Sequence, residues 1–89
     1  MIVDDEDKLR NLLAKIISYE GFDVIQAENC KTAQKKLEQT DVDVVLCDVK
    51  LPDCHGVDFA KIIKQKYPYT EIIMLTAYGN ISDGVQAIK

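Results

Sequence analysis

An 89-residue chain holds one domain at most, and 47% apolar with 29% charged residues is an ordinary globular composition. A formal charge of −4 argues against direct contact with nucleic acid or an anionic membrane. No uncharged apolar stretch is long enough to span a bilayer, and Met1 leads straight into a short apolar segment with no signal-peptide core, so the expected location is the cytoplasm.

Strand and helix patterns alternate along the chain. Ile2-Val3 reads as a short strand running into Asp4-Asp5. Leu9, Leu12, Leu13, Ile16 and Ile17 recur at helical spacing and form one apolar face, with Gly21 as the stop. Phe22 to Ala27 reads as a second strand, and Gln26 marks it as an edge strand. Asn29 is the expected N-cap of a second helix carrying Ala33 and Leu37. Asp41 to Cys47 is the third strand, running into Asp48, and Pro52 and Gly56 mark the loop after it. Phe59, Ile62, Ile63 and Tyr67 line a third helix that ends before Pro68. Glu71 to Leu75 is the fourth strand, ending at Thr76-Ala77. Ile81, Val85 and Ile88 then mark a fourth helix capped by Asn80 or Ser82.

This (βα)4 pattern predicts a doubly wound α/β fold with a parallel sheet. The C-terminal ends of parallel strands share one edge, where such folds bind ligands. Asp4, Asp5, Asp48 and the Thr76 hydroxyl are therefore expected to converge. Clustered carboxylates repel one another, and a hard divalent cation with oxygen ligands removes that conflict, Mg2+ being the usual choice beside a phosphoryl group. The odd set of cysteines, Cys30, Cys47 and Cys54, matches no zinc spacing and reads as three reduced thiols, Cys47 being a small hydrophobe inside a strand.

The blocks Val3-Asp4-Asp5-Glu6, Val45 to Gly56 and Met74 to Gly79 together resemble the receiver domain of two-component response regulators. The stretch from Thr76 to Lys89 is most similar to receivers of the nitrogen-regulator type, whose full-length members activate sigma-54 transcription. The resemblance covers residues 1–89. It implies a flavodoxin-like (CheY-like) sheet of strand order 2-1-3-4, incomplete at the C-terminus because the family's fifth strand and fifth helix, and the lysine after that strand, are missing. It also implies that Asp48 is the phosphoacceptor, taking a phosphoryl group from a sensor histidine kinase. Asp5 and Asp48 would ligate Mg2+ directly, Asp4 through water, and the backbone carbonyl of Lys50 would complete the protein ligands. Thr76 would sense the phosphoryl group through its hydroxyl. The implied protein is a signalling switch controlling an output domain, of DNA-binding or sigma-54 activator type. It is not a turnover enzyme, beyond self-phosphorylation from small donors and autodephosphorylation. The open fourth strand and uncovered helix faces are expected to promote self-association.

Other readings stand beside this one. Asp4 and Asp5 precede a helix and would cap it without any metal. Asp53 reads as a turn residue and His55 as a solvated loop histidine. A receiver-shaped binding module that does not use phosphate is one alternative, favoured by the missing lysine. A Mg2+-dependent phosphohydrolase with Asp48 as nucleophile is another, although Lys50 stands where such enzymes usually have an acid.

Overall fold

The computed structural model describes residues 1–75. Its elements are β1 (Ile2–Val3), α1 (Asp7–Tyr19), β2 (Gln26–Ala27), α2 (Cys30–Gln39), β3 (Val44–Asp48), α3 (Gly56–Lys66) and β4 (Glu71–Leu75). All strand pairs are parallel, in the order β2-β1-β3-β4 that the family resemblance implies. The chain steps outward from β1 to β2 and then reverses across β1 to β3. With right-handed crossovers, that reversal puts α1 on one face of the sheet and α2 and α3 on the other. The expected fourth helix, and Thr76 with it, lie outside the described residues.

The core lies on the α2/α3 side. Val3, Val45, Cys47, Ile72 and Met74 are buried in one cluster with Ala33 and Leu37 of α2 and Phe59, Ala60 and Ile63 of α3. Along β3 and β4 burial alternates instead of running continuously, because the intervening residues face the other side of the pleat. The apolar stripe of α1 is buried only in part. Leu12 and Ile16 are each 55% exposed, Leu9 is exposed too, and Ala14 is the residue of α1 that is fully buried.

Two strand boundaries differ from the sequence reading. The second strand spans Gln26–Ala27 and not Phe22 to Ala27. Its neighbour in the sheet is β1, itself Ile2–Val3, and a strand extends no further than its partner's hydrogen-bonding groups allow. The third strand starts at Val44 and includes Asp48, whose Cα pairs with Leu75. The helix signals hold. Asn29 caps α2 by accepting from Thr32 N at 2.8 Å, and α3 ends at Lys66, ahead of Pro68. Thr70 is buried but satisfied, its hydroxyl donating to the Val42 carbonyl at 2.8 Å.

The expectation of three reduced thiols is corrected. Cys30 and Cys54 form a disulfide across a separation of 24 residues, while Cys47 is a buried free thiol. The reason is topological: the loop after β3 and the N-terminus of α2 meet above the same strand ends, a long-range contact that cysteine spacing does not encode. Closing a loop of that length contributes roughly 3 kcal/mol in the chain-entropy account, a large share for a domain of this size.

Gly56 shows why the loop needs a glycine. A Cβ built there would stand 2.0 Å from the Asp48 carbonyl oxygen and 2.9 Å from the Val49 Cα, backbone atoms at the end of β3 and just after it. The Gly56 N–H also donates to the Val49 carbonyl at 2.7 Å, so the backbone cannot withdraw without breaking that bond. Gly56→Ala is expected to destabilise the fold by about 3 kcal/mol or more, as overpacking against fixed backbone does. A urea-unfolding midpoint equal to that of the parent would contradict this close approach.

Candidate functional site

β1 and β3 are neighbours, with Val3 paired to Cys47. The residues that follow, Asp4 and Asp48, therefore emerge side by side at the C-terminal edge of the sheet, with Asp5 next to them. One carboxylate oxygen from each of the three lies within 4.8 Å of the others. Asp4 is 3% and Asp48 8% exposed, whereas Asp5 is open to solvent. Asp4 also serves the helix, since its Oδ1 accepts from Glu6 N at 2.8 Å while Glu6, the N-cap of α1, makes no side-chain cap of its own. The capping role and the cluster role thus coexist in one carboxylate.

Burial raises the Asp48 pKa above its ordinary 3.8, and the charge of Asp4 adds to the rise. Backbone N–H groups of Lys50 and Val49 work in the opposite direction, the Lys50 N–H lying 3.4 Å from Asp48 Oδ1. The adjacent Cys47 thiol is pushed up to about 12, by burial first and then by Asp48 and Asp4, so it stays neutral and unreactive. An all-oxygen donor set that repels itself fits a hard cation such as Mg2+, which neutralises the repulsion without needing a soft ligand.

Lys50 begins a small hairpin over the site. It pairs with His55 in an isolated antiparallel bridge, and the Leu51 N–H donates to the Cys54 carbonyl at 3.3 Å. This pins the backbone of Lys50 close to Asp48. The expected site residues Asp4, Asp5, Asp48 and Lys50 are therefore brought together. Thr76 lies outside the described residues, but the residue before it, Leu75, pairs with Asp48.

Two residues that support the site escape a motif reading. Arg10 reaches back from α1 to donate to the Asp4 carbonyl at 2.8 Å, to Gln26 Oε1 at 3.1 Å and to Asp7 Oδ1 at 2.7 Å. It ties the β1–α1 loop to the end of β2. Asp53 is more than a turn residue: its two oxygens accept from Cys30 N at 2.8 Å and Lys31 N at 3.0 Å, capping α2 from the loop after β3. The Cys30 N–H bond is the main reason its pKa is lowered. The signal for Arg10 was a basic residue one helical turn from Asp7; nothing local pointed to the contact of Asp53.

The whole chain, residues 1–89, matches the response regulator receiver domain family. The chain belongs to that family. It is a receiver module of the two-component type. It is 38% identical over its full length to the response regulator protein PilR of Pseudomonas aeruginosa, of which it spans 20%. It is 34% identical over 99% of its length to the DNA-binding transcriptional regulator NtrC of Proteus hauseri, spanning 19% of that protein. The chain thus covers about a fifth of the length of each of these two relatives. Among solved structures, the response regulator TrrA of Thermotoga maritima, in complex with Mg2+ and beryllofluoride, is 37% identical, with a TM-score of 0.82 over 92% of this chain and 72% of that one.

The receiver's acidic cluster carries a stability cost with a definite sign. A carboxyl whose folded pKa lies above its unfolded one contributes stability that is intact below the unfolded pKa and is lost as pH rises through the folded pKa. Asp48→Asn removes that loss. Without divalent cations, the variant is expected to be more stable than the parent at neutral pH, with the difference shrinking as pH falls toward 3.8, the ordinary value for Asp48. Urea midpoints measured across that range check it; a difference that stays constant with pH would contradict the burial argument.

Proposed function

We propose that Asp48 accepts a phosphoryl group from a sensor histidine kinase, in the cytoplasm, and that this switches an output domain in the full-length protein. The observation that carries the reading is the meeting of Asp4, Asp5 and Asp48 at the ends of adjacent strands, with Asp48 held at the strand terminus. A carboxylate oxygen of Asp48 attacks phosphorus, the P–N bond to the kinase imidazole breaks, and the nitrogen keeps the electron pair. Asp5 and Asp48 would hold Mg2+ directly, Asp4 through water, and the Lys50 carbonyl would complete the set. The bound cation supplies charge neutralisation between the carboxylates and the incoming phosphoryl oxygens. The hairpin from Lys50 to His55 sets the position of that carbonyl, and Arg10 sets the β1–α1 loop.

Thr76 would then sense the phosphoryl group through its hydroxyl and pass the change toward the output domain. Leu75, the residue before it in the chain, pairs with Asp48. A DNA-binding or sigma-54 activator output agrees with the relatives matched, which are regulators about five times the length of this chain. Self-association is a further part of the proposal. Among the described residues β4 is an outer strand, and Leu12 and Ile16 face solvent.

The direct test is intact mass after incubation with acetyl phosphate. One phosphoryl group is expected on the parent with Mg2+, none on Asp48→Asn, and none after chelation. A stable fold that takes up no phosphoryl group would favour a phosphate-independent binding module. Multiple turnover of a phosphate ester would favour the phosphohydrolase. Arg10→Met is expected to weaken Mg2+ binding by about tenfold, the usual scale for losing a group that orients a ligand. Titration calorimetry would read that loss, and an unchanged affinity would remove Arg10 from the site.

A further inference from the structure

The Cys30–Cys54 pair lies outside the acidic cluster, yet it is joined to it. Cys30 is the first residue of α2, and Cys54 sits in the hairpin that begins at Lys50. Their Cα atoms are 6.2 Å apart, within the range a disulfide spans. Asp53, between hairpin and helix, fixes the same junction by accepting from Cys30 N and Lys31 N. The carbonyl of Cys54 in turn accepts from Leu51 N, the residue after Lys50. A covalent bond at Cys54 therefore restrains the backbone carrying the proposed metal-ligand carbonyl.

A cytoplasmic protein seldom holds a structural disulfide; where one occurs it is usually transient or redox-sensing. The two residues differ in exposure. Cys54 is half-buried and Cys30 is buried. The third thiol, Cys47, is fully buried, its pKa pushed to about 12, and it does not compete. In the structure the two sulfurs are joined to each other, a state in which neither can serve zinc as a thiolate.

We propose that Cys30 and Cys54 form a reversible redox tether whose closure tightens Mg2+ binding at the acidic cluster, and so tunes the phosphorylation of Asp48. The inference rests on the receiver reading given above. The oxidant is a low-molecular-weight disulfide of the glutathione class. The Cys54 thiolate attacks one of its sulfurs; that S–S bond breaks and one small thiolate departs. The Cys30 thiolate then attacks the Cys54 sulfur of the mixed disulfide, and the second small thiolate departs. Two protein thiols are oxidised, one small disulfide is reduced, and the two protons pass to the departing thiolates. Closure removes freedom from the hairpin before the metal binds, so less ordering remains to be done on binding.

The test compares the same chain in two states, oxidised glutathione-treated and dithiothreitol-reduced, by Mg2+ titration calorimetry and by acetyl phosphate labelling at sub-saturating Mg2+. The oxidised protein is expected to lose two hydrogens by intact mass, to bind Mg2+ about three- to tenfold more tightly and to label faster. Cys54→Ser is expected to match the reduced parent under both conditions. Equal Mg2+ affinity in the two states would overturn the tether, as would a persisting glutathione adduct without an internal bond. Stoichiometric Zn2+ capture by the reduced pair, abolished in Cys54→Ser, would also overturn it, in favour of a metal site. The two readings fail separately. Equal labelling in both states leaves the receiver reading standing and removes the tether. Redox-dependent Mg2+ affinity without any labelling keeps the tether and removes the phosphoacceptor.

Discussion

The register between β1 and β3 governs this molecule. With Val3 opposite Cys47, the chain must deliver Asp4 and Asp48 to neighbouring points at the sheet edge. The two side chains are nearly buried there, so water screens their charges poorly and the electrostatic conflict is built into the topology. Folding without a cation leaves that conflict in place, and it adds to the burial that raises the pKa of Asp48. The fold tolerates it because the strands are anchored from below. Val45 and Cys47, the alternate residues of β3, are fully buried against the α2/α3 core. Packing on one face holds charges together at the end.

The same economy explains the crowding around the loop. Asp48 ends β3, yet the chain turns at once through a hairpin and returns to start α3 on top of the Asp48 carbonyl. The turn is tight enough that Gly56 touches the strand backbone, and its N–H closes the turn on the Val49 carbonyl. A loop this short leaves little freedom for the Lys50 backbone. Pre-organisation of that kind lowers the ordering cost when a ligand arrives. Arg10 plays the corresponding part on the other side by fastening the Asp4 carbonyl to β2 and α1.

What could be read from the sequence was what neighbouring residues encode. The cap at Asn29, the stop before Pro68 and the bounds of β4 rest on local chemistry, and each stands in the structure. The convergence of Asp4, Asp5 and Asp48 was legible because parallel topology turns a sequence pattern into a spatial one. The length of β2 was not, since Phe22 to Ile25 have strand-like composition but β1 offers them little to pair with. The exposure of the α1 stripe was not legible either: periodicity reports which residues share a face, not how much of that face is covered. The Cys30–Cys54 bond and the Asp53 cap join residues 24 and 22 or 23 positions apart, so no local rule could reveal them.

Those last two contacts differ in kind, and the difference decides what a redox change can do here. Asp53 holds the hairpin on α2 through charge-assisted bonds to backbone N–H groups, which do not involve the sulfurs. The disulfide adds a covalent link at the same junction. The Gly56 contact with the Asp48 carbonyl, the Lys50–His55 bridge and the Asp53 cap are made by atoms other than the two sulfurs. The acidic cluster itself is set by strand register, which does not involve either sulfur. Redox state can therefore modulate the affinity and rate of the site, but it cannot create or abolish it. A graded response of severalfold, superimposed on an all-or-none requirement for Asp48, is the behaviour this arrangement of bonds allows.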